Sequence, residues 1–86
     1  SRLKMAKKQF HMCPICFESL YNDEELHVHH IMPKQKGGRD VYSNLVIVHE
    51  LCHRQIHSKK MTSADVQTRI LKLCKKMKIK LDIYEA

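Results

Sequence analysis

The chain has no tryptophan, two glycines and two prolines, and aromatic residues fill 6% of its 86 positions. Apolar residues at 43% suffice for a globule, but few of them are bulky enough to make a large core. Chains this short bury a low fraction of their surface and often need a disulfide, a metal or a partner to stay folded. No apolar run approaches the roughly 20 residues of a membrane span, and no secretory leader is visible. Repeats, low-complexity tracts and a second domain are also lacking, so one domain over residues 1–86 is expected. The opening Ser1-Arg2-Leu3-Lys4 has no methionine, which suits a fragment or a processed chain.

Four cysteines are present, and their placement argues against two disulfides. Cys13-Pro14-Ile15-Cys16 is a CxxC knuckle, Cys52 sits beside His53, and Cys74 lies alone in a helical pattern. Without a secretory signal, a CxxC with a distant Cys/His pair reads as zinc before disulfide. The expected compartment is therefore reducing, intracellular and cytoplasmic. Zinc takes four tetrahedral thiolate or imidazole ligands, usually as two close pairs from separate segments. Cys13 and Cys16 make the first pair; His49 and Cys52 make the second. His11 is an alternative to His49 as the fourth ligand. Cys74, on an apolar stripe, is read as a packed free thiol.

The net charge of +7 is unevenly spread. Residues 1–12 carry four basic side chains and no acid, and residues 59–80 carry eight basic side chains against Asp65 alone. The histidine-rich stretch between them is slightly acidic. Positive flanks around a centre that is not basic suit a polyanion held through its phosphates. The bland alternative is lysine-rich solvated surface.

Alternation over Leu26–Ile31 predicts one strand, with Leu26, Val28 and His30 on one side and His27, His29 and Ile31 on the other. Pro33 and the Lys34–Asp40 stretch, with Gly37-Gly38, predict a loop. Leu45–Val48 predicts a buried strand and His49–Ser58 a helix. A second helix is predicted over residues 62–78. Thr62 or Ser63 is its cap, Val66, Ile70, Leu73 and Met77 face inward, and Leu71 and Cys74 broaden that stripe. Residues 1–12 are expected to be a basic arm, with a short strand over Gln9–Met12. The tail from Lys78 is ambiguous: Ile79, Leu81 and Ile83 alternate as an edge strand would.

Histidine is the residue the chain has in excess. His53 and His57 are one helical turn apart and can chelate one cation. Cys52 lies about 100° around the same helix, so one short helix can face two metals. His11 and His27 are read as scattered surface residues.

The run HVHHIMPKQKGGRDVYSNLVIVHELCHRQIH over residues 27–57, with the CxxC upstream, resembles the HNH (ββα-metal) nucleases. That resemblance implies an α+β, zinc-stabilised ββα-metal fold over residues 13–58, with an added C-terminal amphipathic helix. Many members have Cys where His49 stands, so this chain departs to a Cys3His set. In the resemblance His30 matches the first His of the signature, Asn44 the Asn and His53 the last His. His29 would then complete a cation site with His53 and His57, as in colicin-type DNases. His30 becomes the general base, suited by an imidazole's usual pKa of about 6.5. Asn44, which does not titrate, becomes an orienting group pinning the Gly-Gly loop to the first strand. His29 and His30 point to opposite faces, so they converge only if the strand twists or ends there. Arg39 and Arg54 are either phosphate contacts or exposed residues.

The implied activity is metal-dependent phosphodiester hydrolysis of double-stranded DNA, giving 5′-phosphate and 3′-hydroxyl ends. Mn²⁺, Co²⁺, Ni²⁺ or Mg²⁺ would be the catalytic cation. The wording most resembles the endonuclease domain of group II intron reverse transcriptases, which implies intron RNA and an upstream reverse transcriptase as partners and no membrane. The other class left open is an inactive, zinc-stabilised DNA-binding module.

Overall fold

The computed structural model describes residues 1–85. A helix α1 (Arg2–Lys8) precedes strand β1 (Leu26–His30), strand β2 (Leu45–His49), helix α2 (Glu50–Ser58) and helix α3 (Ser63–Glu85). The strands pair antiparallel in one two-stranded sheet, with Leu26 opposite His49 and His30 opposite Leu45. Helix α2 packs against both strands and α1 against β2. The fold is α+β and of the expected ββα type.

The core is built from short apolar pieces. Val46, Ile47 and Val48 are buried in β2, and Cys52 and Ile56 on the inward face of α2. Met5 and Ala6 of α1, Ile31 after β1 and Val66 of α3 join the same cluster. The supposed N-terminal arm is thus a helix, started by the Ser1 hydroxyl accepting the Lys4 N–H. Its apolar content is too short a signal to show periodicity.

Gln9, which closes α1, is buried and serves as a strand substitute. Its amide donates to the Ile47 carbonyl (2.8 Å) and accepts the Ile47 N–H (2.7 Å). No strand forms over Gln9–Met12; Met12 only makes an isolated bridge with Ser19.

At α3, Thr62 takes the cap: its hydroxyl accepts the Asp65 N–H, and the Asp65 carboxylate accepts the Thr62 N–H. These reciprocal bonds satisfy two otherwise unpaired donors at the start of the helix. The helix runs past the expected Lys78, and Lys78–Ile83 are helical rather than an edge strand. Only its first half reaches the core: Val66 and Leu73 are buried, whereas Leu71, Ile79 and Ile83 are exposed. Arg69 anchors it from the side, donating to the Pro14 and Ile15 carbonyls with its guanidinium over the Phe17 ring. Residue 86 lies outside the described part, as do the side chains of residues 84 and 85. Among the described residues no helix is long and apolar enough to cross a membrane.

Candidate functional site

The strand-to-helix junction carries the first metal-binding geometry. β2 ends at the fully buried His49, and the next residue starts α2, so His49 and Cys52 share one turn. Cys13 and Cys16 lie on a tight knuckle, closed by the Phe17 N–H donating to the Cys13 carbonyl (2.8 Å) with Phe17 left-handed (φ 61°). One ligand atom from each of Cys13, Cys16, His49 and Cys52 lies within 4.8 Å of the others. His49 donates from Nε2 to the Ser19 carbonyl (2.9 Å), leaving the Nδ1 lone pair facing Cys16 Sγ at 3.4 Å and Cys52 Sγ at 3.9 Å. Tetrahedral zinc separates a thiolate from an imidazole ligand by about 3.6 Å, given its usual bond lengths. The donor set and spacing fit zinc. Burial, then the neighbouring Cys13, pushes the Cys52 thiol up, and burial first does the same for Cys16. Clustered thiols of this kind ionise readily only beside a cation. His11 is no substitute for His49: its Nδ1 faces the Tyr21 hydroxyl at 2.7 Å. All four cysteines are free, and Cys74 stands half-buried outside the cluster.

A second set lies across α2. One ligand atom from each of His29, His53 and His57 falls within 4.8 Å of the others. His53 Nε2 and His57 Nε2 are 3.4 Å apart. Two imidazoles on a tetrahedral cation at about 2.1 Å would stand about 3.4 Å apart, so these residues too fit a metal. Burial, then the charges of His53 and His57, lowers the pKa of His29 to about 4. Burial, then His57 and His27, also lowers that of His53. Packing that repels a proton leaves these lone pairs free at neutral pH.

His30 ends β1 one residue later. With His29, His53 and His57 it lines an open cleft of about 270 Å³ that also takes in Pro33 and Lys34. The strand's end lets two neighbouring histidines reach one cleft. His30 Nε2 is 2.6 Å from Asp40 Oδ1, and Lys34 Nζ is 3.0 Å from the other carboxylate oxygen. Hydrogen bonds from His30 and then Lys34 hold the Asp40 carboxyl below its usual range. An ionised Asp40 accepts, so His30 carries its hydrogen on Nε2 and keeps a lone pair on Nδ1. Asn44 accepts the Met32 N–H and donates to the carbonyls of Met32 and Arg39.

Residues 13–59, more than half of the chain, match the family model described as HNH endonuclease. The chain belongs to the HNH endonuclease family. No curated protein and no solved structure matches it significantly. The HNH segment opens on the first cysteine of the knuckle and closes just past α2, so both candidate metal sets and the His30 cleft fall inside it. Helices α1 and α3 lie wholly outside. Nuclease chemistry on nucleic acid with divalent metals is what this family does.

Two residues of the HNH segment have roles that spacing alone does not assign. His27 is not scattered surface: its Nδ1 is 2.9 Å from His53 Nδ1. The available signal is its two-residue spacing from His29, which puts both on one face of a strand. Asp40 carries no local signal, because only the fold of the loop brings it back to His30. Arg54 is exposed and bound to Glu50 one turn earlier (2.9 Å), and Arg39 is exposed as well.

Proposed function

We propose that this chain is a metal-dependent DNA endonuclease that hydrolyses phosphodiester bonds. One observation carries the reading: His30 and three mutually close imidazoles line the same cleft. His30 Nδ1 takes a proton from the attacking water while the new P–O bond forms and the bond to the 3′ oxygen breaks, and that oxygen takes a proton from solvent. Asp40 keeps the base in one tautomer and steadies its cationic form. Asn44 fixes the loop that brings Asp40 to His30. His29, His53 and His57 would hold a divalent cation, which would neutralise charge on the phosphate and the leaving oxygen. Cys13, Cys16, His49 and Cys52 would hold structural zinc. The products are 5′-phosphate and 3′-hydroxyl ends.

Double-stranded DNA is the substrate, gripped by the basic flanks 1–12 and 59–80 through phosphate. The wording of residues 27–57 supports a nick made for a group II intron or similar mobile element, alongside a reverse transcriptase and intron RNA. A reducing, cytoplasmic setting suits thiolate ligands.

Incubation of zinc-loaded protein with supercoiled plasmid and Mn²⁺, Mg²⁺, Co²⁺ or Ni²⁺ tests the reading. Relaxed circles whose nick a polymerase can extend are expected. Linear product in place of circles would remove the nicking role. No cutting with any cation, with DNA still bound, would make the chain a zinc-stabilised binding module instead.

A further inference from the structure

We propose that His27 is a positioning residue for His53, accepting the Nδ1–H of that ring so that its Nε2 lone pair faces the cation. The inference rests on His29, His53 and His57 forming a cation site. His53 turns Nε2 toward His57 (3.4 Å) and Nδ1 toward His27 Nδ1 (2.9 Å). Two ring nitrogens at hydrogen-bond distance share one hydrogen. A ligand lone pair on Nε2 puts that hydrogen on His53 Nδ1, so His27 Nδ1 must accept. The hydrogen of His27 then resides on its own Nε2.

The surroundings of His27 favour that arrangement. Its Nε2 lies 3.9 Å from Glu25 Oε1. Glu25 and Glu50 each bring a carboxylate oxygen within 4.8 Å of a ring nitrogen of His27. Negative charge beside Nε2 holds the hydrogen there and leaves Nδ1 as the acceptor. The order then runs carboxylates, His27, His53, cation, each link fixing the tautomer of the next. The support comes from the strand: His27 and His29 are two residues apart on β1, so one face of β1 gives α2 both a ligand and the group that braces the opposite ligand.

Partners of this kind orient the ligand ring and raise its basicity, and removing one weakens metal affinity by about 10–100-fold. The test needs no cleavage. Zinc-loaded wild type, His27→Ala and His27→Gln are titrated with Co²⁺ or Ni²⁺ against a chromogenic chelator, and thermal unfolding is followed without the second cation. His27→Ala should bind about 10–100-fold more weakly. His27→Gln, whose amide oxygen can accept the same hydrogen, should recover most of the loss. Equal affinity in wild type and His27→Ala would overturn the proposal, as would a Gln variant no better than Ala. Weakening matched by an equal fall in cation-free stability would also overturn it in favour of a packing role. Should the variants not fold, ¹⁵N imidazole spectra of the wild type decide: His53 as the Nδ1–H and His27 as the Nε2–H tautomer support the proposal, and any other pair refutes it. Failure of wild type to bind a second cation would sink the cation site itself, and this inference with it.

Discussion

Asn44 and Met32 are joined twice: Asn44 Oδ1 accepts the Met32 backbone N–H at 2.7 Å, and its Nδ2 donates to the Met32 carbonyl at 3.1 Å. The same Nδ2 donates to the Arg39 carbonyl at 3.0 Å, so one amide clasps both ends of the loop between His30 and Asp40. The clasp dictates the glycine beneath it. A Cβ on Gly38 would lie 1.8 Å from the Met32 carbonyl oxygen and 2.9 Å from Asn44 Nδ2, whereas Gly37 has open space but a φ of +90°.

Loss of the clasp should therefore cost stability. Asn44→Ala removes three hydrogen bonds at about 0.5–1.5 kcal/mol each, so urea unfolding of zinc-loaded protein should show a loss of about 1.5–4.5 kcal/mol. Gly38→Ala should cost about 1–3 kcal/mol through overpacking against backbone. Gly37→Ala, which meets only left-handed strain, should cost less, at about 1 kcal/mol. Equal costs at the two glycines would mean that close approach to Met32 is not what selects Gly38.

Removal of the base should separate cutting from folding. His30→Ala should keep structural zinc, fold and DNA binding yet lose cleavage by about 10²–10⁴-fold, the usual range for removal of a general base. Asp40→Ala should lose less, because the base remains but is no longer held in one tautomer. Plasmid nicking rates at saturating cation read both. Equal rates in wild type and His30→Ala would remove His30 as the base, and a full-strength Asp40→Ala would make its bond to His30 incidental.

Asn44 and Asp40 also mark the boundary of what a sequence can convey. Candidate ligand pairs such as Cys13/Cys16 and His53/His57 are local, so spacing alone is enough to propose them. β1, β2 and α2 are legible because Pro33 and the Gly-Gly loop separate a period-two run from a helical one. Asp40 meets His30 only through the loop's tertiary path, which leaves no trace in spacing. His27 looks like scattered surface in the sequence because its partner lies on another element, 26 positions away. The tail misleads differently. Alternation at Ile79, Leu81 and Ile83 suggests a strand, but no glycine or proline interrupts the helix begun at Ser63, and Gln9 already occupies the outer edge of β2 at Ile47.

Zinc should be inseparable from folding. In so small a core the free energy of metal binding is folding free energy, and the knuckle is also where Arg69 ties down α3. Cys16→Ser should lose both zinc and a cooperative unfolding transition, measured by metal analysis and thermal melts. Cys74→Ser, outside the cluster, should retain the zinc of wild type. A well-folded zinc-free protein with reduced cysteines would refute the structural site.

Acid should loosen the protein through the histidine cluster. His29 falls to about 4 by burial and the charges of His53 and His57, and His53 is lowered for similar reasons. An unfolded chain binds these protons near about pH 6.5. Above that both states are neutral, and the pair contributes no pH dependence. As pH falls toward about 4 the unfolded state gains protons first, so stability declines across that window. His29→Gln should make the decline shallower by up to one proton in urea titrations of zinc-loaded protein compared at matched pH. An unchanged slope would show that His29 does not contribute to the decline.

The basic helix should carry much of the affinity for DNA. Lys72, Lys75 and Lys76 are exposed on α3, in a stretch that carries eight basic side chains against one acid. Among the described side chains of α3 only Val66 and Leu73 are buried, so its lysines are not needed to hold the core. Arg69 fixes the helix to the CxxC knuckle and thereby fixes where those charges stand relative to the cleft. Each phosphate that a lysine neutralises releases condensed counterions, and log K falls with log salt by about 0.9 per phosphate. Replacing the three lysines with glutamine should leave zinc content and melting unchanged while reducing that slope by about 0.9 for every phosphate left without its lysine. Affinity should fall to a similar degree on unrelated duplexes, since binding through phosphate conveys no sequence information. Fluorescence anisotropy across a salt series reads both quantities. A slope that does not move would mean that DNA is held elsewhere and that this face of α3 is only solvated surface.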